Sequence, residues 1–177
     1  MIQIKTCTRD NIDELLRVFT QSYREHYAHY WSDNGDAYIN SNFNPDQLGQ
    51  EMSNPNSTFF LISQGSRSVG ILKINMDQSL DKYTAGETLE LERIYLLKDA
   101  SGKGVGKSAI DYVKDLAIQK GKKYIWLKTM EKSTAAQFYR KLGFRVIEEM
   151  NLNFKFIKPE YRKMFVMLLE MSINEIT

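Results

Sequence analysis

The stretch Thr88–Lys120, TLELERIYLLKDASGKGVGKSAIDYVKDLAIQK, decides the fold. It reads as strand, glycine-rich loop and amphipathic helix. Side chains alternate along a strand, which puts Leu89, Leu91, Arg93 and Tyr95 on one face and Glu90, Glu92, Ile94 and Leu96 on the other. The loop Ser101-Gly102-Lys103-Gly104-Val105-Gly106-Lys107 has glycine at every second position, where backbone amides can approach a ligand with no Cβ in the way. The helix that follows carries Ala109, Ile110, Val113, Leu116 and Ala117 on one face, and Gly121 is placed to end it. Free amides at a helix start, with Lys103 and Lys107 beside them, make an anion site suited to a phosphate group.

Working outward, Ile2–Cys7 alternates as a first strand, and Thr8 or Asp10 can cap the next helix, whose buried face is Ile12, Leu15, Leu16, Phe19 and Tyr23. Tyr23–Tyr38, YREHYAHYWSDNGDAY, interleaves aromatics with acids and has a turn at Asn34-Gly35. A short helix is expected over Pro45–Met52, then a hairpin with strands at Thr58–Ile62 and Val69–Met76. A polar loop, 77–86, leads into the opening stretch. Beyond it lie a strand at Tyr124–Lys128, a short helix capped by Ser133 and ended by Gly143, and strands at Arg145–Glu148 and Met164–Glu170, with a loop over 151–162 between them. The mixture points to an α/β (α+β) chain in one domain spanning 1–177, with no internal repeat or linker.

Bulk properties narrow the classes. A chain of 177 residues with 42% hydrophobic content can bury a core. A net charge of +2 and no basic helical stripe argue against a nucleic-acid binder. The single cysteine, Cys7, excludes an internal disulfide and fits a reducing compartment. No run approaches the ~18 apolar residues of a membrane helix, and the start lacks a signal-peptide pattern, so the expected location is the cytoplasm. His26 and His29 are three apart without a third ligand, and no metal is expected.

Three readings of the glycine loop compete. Gly106-Lys107-Ser108 ends like a nucleoside-triphosphate loop, but Ser101 stands where that pattern needs glycine, and the strand at 124–128 lacks the magnesium-holding aspartate. The spacing Gly102, Gly104, Gly106 does not fit the dinucleotide fingerprint. The third reading is a coenzyme A loop. Lys103–Lys107 after Leu91–Leu96 resembles the central motif of the GNAT acetyltransferases, [QR]xxGx[GA], and Ala135-Ala136-Gln137-Phe138-Tyr139-Arg140-Lys141-Leu142-Gly143-Phe144 resembles their AxxxYxxxGF signature. The segments LELERIYLL, KKYIWLKTMEK, FYRKLGF and FNPDQLGQEMSNPNSTFF are most similar to the PaiA-like bacterial branch, associated with acetylation of polyamines such as spermidine. The likeness runs from the Thr8 cap to about Phe144. Ser101 replaces the usual Gln or Arg, and Lys132, followed by Ser133, replaces a frequent asparagine.

The resemblance implies a mostly antiparallel mixed sheet flanked by helices, in which the central parallel strands splay. Acetyl-CoA would lie in the gap along Ile94, Tyr95 and Leu96, with its pyrophosphate on Ser101–Lys107 and Ser133 and Phe138 beside it. Tyr139 would be the acid that protonates the leaving thiolate, Glu92 and then Glu90 the bases, and the Tyr95 amide an oxyanion donor. Tyr27, Tyr30, Trp31, Asp33 and Asp36 are the expected amine contacts, since acids among aromatics suit a cation. The expected partner is a small-molecule amine, with no membrane and no nucleic acid; a homodimer stays open. A protein lysine or N-terminal acceptor, and a non-catalytic coenzyme A-binding regulator, are the alternatives.

Overall fold

The computed structural model describes residues 1–171. β1 (Ile2–Thr6) leads through a 3-10 turn into α1 (Ile12–Tyr27), then α2 (Asp36–Asn42) and α3 (Pro45–Met52). β2 (Ser57–Gln64) and β3 (Arg67–Asn75) form the hairpin, followed by β4 (Thr88–Leu96), α4 (Val105–Gln119) and β5 (Tyr124–Met130). α5 (Thr134–Lys141), β6 (Arg145–Asn151) and β7 (Lys163–Glu170) complete the described chain. The expected elements are present. α2 was not anticipated: it has one buried residue, Ile39, and starts behind Gly35 at φ 81°, so it offers no apolar period to read.

The seven strands form one sheet in the order β1-β2-β3-β4-β5-β7-β6. Every pair is antiparallel except β4 with β5. That parallel pair holds only at Thr88↔Tyr124, Leu89↔Ile125 and Glu90↔Trp126. Beyond it the two strands part, and this opening positions the site.

The faces of β4 differ from simple alternation. Lys73 pairs with Arg93 but Ile74 pairs with Leu91, so Glu92 is the extra residue of a β-bulge, which reverses the phase of everything after it. Leu89 and Leu91 share a face with Ile94 and Leu96, packed with Ile110, Val113 and Phe138 on the α4–α5 side. Glu90, Glu92, Arg93 and Tyr95 occupy the α1 side; there Tyr95 joins Phe19, Tyr23 and Phe43, and the Arg93 guanidinium lies 5.7 Å over Phe19. The grouping of Leu91 with Arg93 and Tyr95 is therefore corrected: the period of two holds on each side of the bulge but not across it.

Two apolar layers thus sandwich the sheet, and loop 77–86 covers a third patch through Leu80 and Tyr83 against Trp126 and Leu168. Lys122, buried here, is satisfied by Asp77 and by the carbonyls of Ala85 and Gly86. No helix among the described residues is long and apolar enough to cross a membrane.

Candidate active site

The gap between β4 and β5 opens into two cavities. The larger, about 430 Å³, is lined by Ile94, Tyr95, Leu96, Ser101, Gly102, Gly104, Gly106, Lys107 and Phe138, with His26 and Tyr27 from α1. The smaller, about 140 Å³, lies between Glu92, Arg93 and Lys128 of the sheet and the aromatic side chains of Tyr23, Tyr27, Tyr30, Trp31, Tyr38 and Phe154. Tyr27, Ile94, Tyr95, Ala135 and Tyr139 line both, so the cavities meet beside the Tyr139 ring.

At the floor of the larger cavity the loop enters α4 through Gly102 at φ 75° and Gly104 at φ 83°, a left-handed region that costs glycine nothing. The first amides of α4 have no partner within the helix and carry the positive end of its dipole. Gly106 works differently: a Cβ there would lie 3.4 Å from the Phe138 ring and 3.5 Å from Leu96, so its bare Cα widens the passage. Val105 is fully buried and joins the core, which leaves only its backbone for a ligand. Lys107 lines the cavity and pairs with Asp111 at 2.7 Å; Lys103 is outside the lining. Ser133 is the N-cap of α5, accepting from the Ala136 amide at 3.3 Å, and is likewise outside it.

The backbone of β4 is divided between its neighbours. Leu97 donates to the Val69 carbonyl at 2.8 Å, and alternation along an antiparallel ladder then turns the Tyr95 amide toward β3. The groups of Ile94 and Leu96 face the gap, and the Leu96 carbonyl lies 3.0 Å from His26 Nε2. The Tyr95 amide expected as an oxyanion donor is thus engaged in the sheet, and the Ile94 amide faces the opening instead. The sequence reading weighed His26 only as a metal ligand and did not place it here.

Under the smaller cavity lies a buried charge cluster. Asn75 Nδ2 donates to Glu90 and to Glu92, both at 2.7 Å, so the two carboxylates meet at one amide. Glu92 also holds Lys73 at 2.6 Å and Arg93 at 3.2 Å. Glu51 of α3 closes the network, bidentate to Arg93 at 2.7 and 3.0 Å and bonded to Lys73 at 2.8 Å. Of the two candidate bases, Glu92 lines the cavity as an ion-paired carboxylate. Glu90 is deeper, and burial first, then the charge of Glu92, pushes its carboxyl above the usual range against the opposing Asn75 bond.

A folded-state pKa raised above the unfolded one means that folding favours the protonated acid. The charged form costs stability once the pH exceeds the ordinary carboxylate value near ~4.3. Glu90→Gln, which keeps the acceptor for Asn75, is therefore expected to raise the thermal midpoint at pH 8 and to change it far less at pH 4. Equal effects at both values would show that the Glu90 charge carries no cost.

Tyr139 is buried, packed edge-on to Phe144 at 5.6 Å. Burial, with a smaller contribution from Tyr27, pushes its hydroxyl well above the ordinary phenol, so it stays a proton donor across the physiological range. Tyr27, Tyr30 and Trp31 line the smaller cavity; Tyr30 stacks on Tyr161 at 4.3 Å, and Trp31 Nε1 donates to the Tyr23 hydroxyl at 3.0 Å. Asp33 and Asp36 do not line it. Asp33 accepts from the amides of Gly35 and Ala37, both at 3.0 Å, and builds the turn into α2. Asp36 pairs with Arg24 at 2.8 Å on the surface. Acidic side chains at a turn bond their own backbone readily, and that local use has taken both aspartates.

Sequence reasoning missed Arg93, Lys128, Tyr38 and Phe154 as cavity residues. Tyr38 closes the aromatic stretch already singled out, and Lys128 ends a recognised strand. Phe154 lies in the β6–β7 loop, which had no signal. That loop is zipped to the segment after α1: Ser32 N donates to the Phe156 carbonyl at 2.9 Å, Lys158 N donates to the Tyr30 carbonyl at 3.0 Å, and Trp31 bridges Ile157.

A mixed sheet that splays beside a glycine loop and a helix start defines the acetyltransferase class of fold. Residues 12–144 match the acetyltransferase (GNAT) family, and the chain belongs to that family. It is 24% identical over 150 residues to an N-acetyltransferase of the pepI 3′ region of Lactobacillus delbrueckii subsp. lactis, an alignment spanning 84% of this chain and 87% of that one. Its fold is similar to that of the PaiA N-acetyltransferase from Thermoplasma acidophilum, solved in complex with coenzyme A (TM-score 0.76, 20% identity, 97% of this chain and 99% of that one). It is similar as well to YncA, a putative acetyltransferase from Salmonella typhimurium solved with acetyl-CoA (TM-score 0.64, 18% identity, 97% and 95%).

Proposed function

We propose that this enzyme transfers the acetyl group of acetyl-CoA to a small primary amine. The observation that carries the reading is the pair of cavities meeting beside Tyr139, one with a helix start at its floor and the other walled by the β4 carboxylate and aromatic rings. The cofactor complexes of the two structural relatives support the same assignment for the larger cavity.

The chain's residues divide the work. The amides of the Gly102–Lys107 loop and the start of α4 hold the pyrophosphate, and the gap-facing groups of Ile94 and Leu96 pair with the pantetheine arm as an added strand would. A free amine has a pKa near ~10.4 and arrives protonated. Glu92, on the cavity wall, takes that proton, directly or through water, with Glu90 behind it across Asn75. The amine lone pair then forms the new C–N bond, and the Ile94 amide faces the developing oxyanion. When the C–S bond breaks, Tyr139 gives its proton to the departing thiolate, and the second proton on nitrogen leaves to solvent. Burial raises Tyr139, and the same loss of water disfavours a thiolate as it does a phenolate. A thiolate leaving inside the cavity is correspondingly more basic than one in water, which keeps the transfer from Tyr139 feasible.

Calorimetry with coenzyme A, followed by thiol release from acetyl-CoA across a panel of amines, tests the proposal. Spermidine, the acceptor implied by the sequence resemblance, belongs in the panel beside a lysine peptide. Binding together with amine-dependent thiol release is expected, and indifference to coenzyme A would end the assignment. Binding without release on any amine or peptide would leave a cofactor-binding regulator. Gly106→Val, which puts methyls against Phe138 and Leu96, is expected to weaken coenzyme A binding about tenfold or more with the fold retained, read in the same titration.

A further inference from the structure

The smaller cavity carries more information about the acceptor than its position alone. A polyamine brings several ammonium groups, and each that leaves water needs a carboxylate or equivalent partner. The lining supplies one carboxylate, Glu92, whose oxygens are already on Lys73 at 2.6 Å and Arg93 at 3.2 Å. It also supplies two cations, Arg93 and Lys128. The aspartates that could have served a second ammonium are committed to the α2 turn and to Arg24. With Glu51 already holding Arg93 and Lys73, and Glu90 behind Asn75, the wall has no second lining carboxylate to meet a second ammonium.

The rest of the wall is ring surface. Phe154 is 44% exposed and is, besides Met1, the large apolar side chain left uncovered among the described residues. It stands at the cavity with its ring 5.8 Å from Trp31 and 5.8 Å from Tyr38, tilted and edge-on respectively. The three rings come from separate segments and are brought together by the β6–β7 loop zipped onto Trp31 and Ser32. Trp31 and Tyr38 stack on each other at 5.3 Å and Trp31 is buried, so the ring surface left open at this edge of the cavity is that of Phe154, where a further planar ring can pack edge-on or offset. An exposed phenylalanine over such a cavity is most economically explained by an occupant that covers it.

We propose that the acceptor is a primary monoamine with an aromatic body, its ring packed on the open face of Phe154 beside the Trp31–Tyr38 stack and its single amino group directed to Glu92 beside Tyr139. The proposal rests on the amine-acetylation reading above and narrows its substrate class. Phe154 acts in it as a specificity residue that contacts the acceptor and takes no part in the chemistry.

The test compares kcat/KM for 2-phenylethylamine and for spermidine on the full chain with saturating acetyl-CoA, in the wild type and in Phe154→Ala. The exposure of Phe154 lets that variant keep its fold, which circular dichroism and the coenzyme A titration would check. 2-Phenylethylamine is expected to exceed spermidine by about tenfold or more. Phe154→Ala should lower the 2-phenylethylamine value about tenfold, chiefly through KM, with coenzyme A affinity unchanged, the size that losing a buried aromatic face implies. Preference for spermidine, or unchanged 2-phenylethylamine kinetics in Phe154→Ala, would overturn the aromatic acceptor while leaving amine acetylation standing. Absence of thiol release with every amine, despite coenzyme A binding, would overturn both.

Discussion

Tyr139→Phe is expected to lower kcat for acetyl transfer about 100-fold or more while leaving the thermal midpoint nearly unchanged. General acid catalysis by a positioned side chain contributes roughly 10²–10⁴-fold, and Tyr139 is one of three phenols, with Tyr27 and Tyr95, that line both cavities. Folding should tolerate the change. The ring keeps its contacts with Phe138 and Phe144. Because the phenol is held above its ordinary value, the proton is present throughout a neutral assay range, so the loss should be as large at pH 7 as at pH 9. Steady-state kinetics at both pH values, with coenzyme A affinity measured separately, distinguish lost chemistry from lost binding. A variant with wild-type kcat would remove Tyr139 from the mechanism.

Glu51→Ala should cost about 3–5 kcal/mol of stability in chemical denaturation, because removing one member of a buried ionic cluster leaves its partners uncompensated. Arg93 would lose a bidentate partner and Lys73 one of its two, with both side chains nearly inaccessible to water. The effect should depend on pH. Burial pushes the Glu51 carboxyl up, but the Arg93 bonds and charge, with Lys73 and Gln47, outweigh it and hold it below the ordinary value. A lowered folded-state pKa gives stability that is present above the unfolded value near ~4.3 and is lost as pH falls through the folded one. The gap between wild type and variant should therefore be widest near neutrality and narrow below about pH 4. Glu51→Gln keeps the shape and removes the charge; a gap equally wide for Gln at every pH would mean that packing, not charge, is responsible.

Much of this architecture is written locally. The hairpin, β4–loop–α4, β5 and α5 each have their period and their stops within a short window, and their boundaries fall close to those expected. The splay was implied only by family resemblance, and the register shows it as a ladder that ends at Glu90 and Trp126. What escaped is non-local. A bulge is defined by two residues facing one on a neighbouring strand, so Glu92 and Arg93 give no sign of it in their own sequence. Glu51 meets Lys73 and Arg93 across 22 and 42 residues, and nothing around any of the three marks the pairing. Asp33 and Asp36 show the opposite error, since a plausible long-range role was read into residues whose chemistry is spent within their own neighbourhood. Phe154 belongs to a connection whose conformation is set by the segment it docks on.

The bulge at Glu92 also constrains how such an enzyme can diversify. Excising one residue there would rotate the last four positions of β4 by half a turn, exposing the coenzyme-side wall to guanidinium and phenol while Ile94 and Leu96 replaced them under the aromatics. A single insertion or deletion along that strand would reverse the face of every position after it. The connection between β6 and β7 lies outside the 12–144 span matched to the family, and it has no part in that register. Exchanging that one segment would remake the cavity wall at Phe154 while leaving the pairing of β3 with β4 as it is.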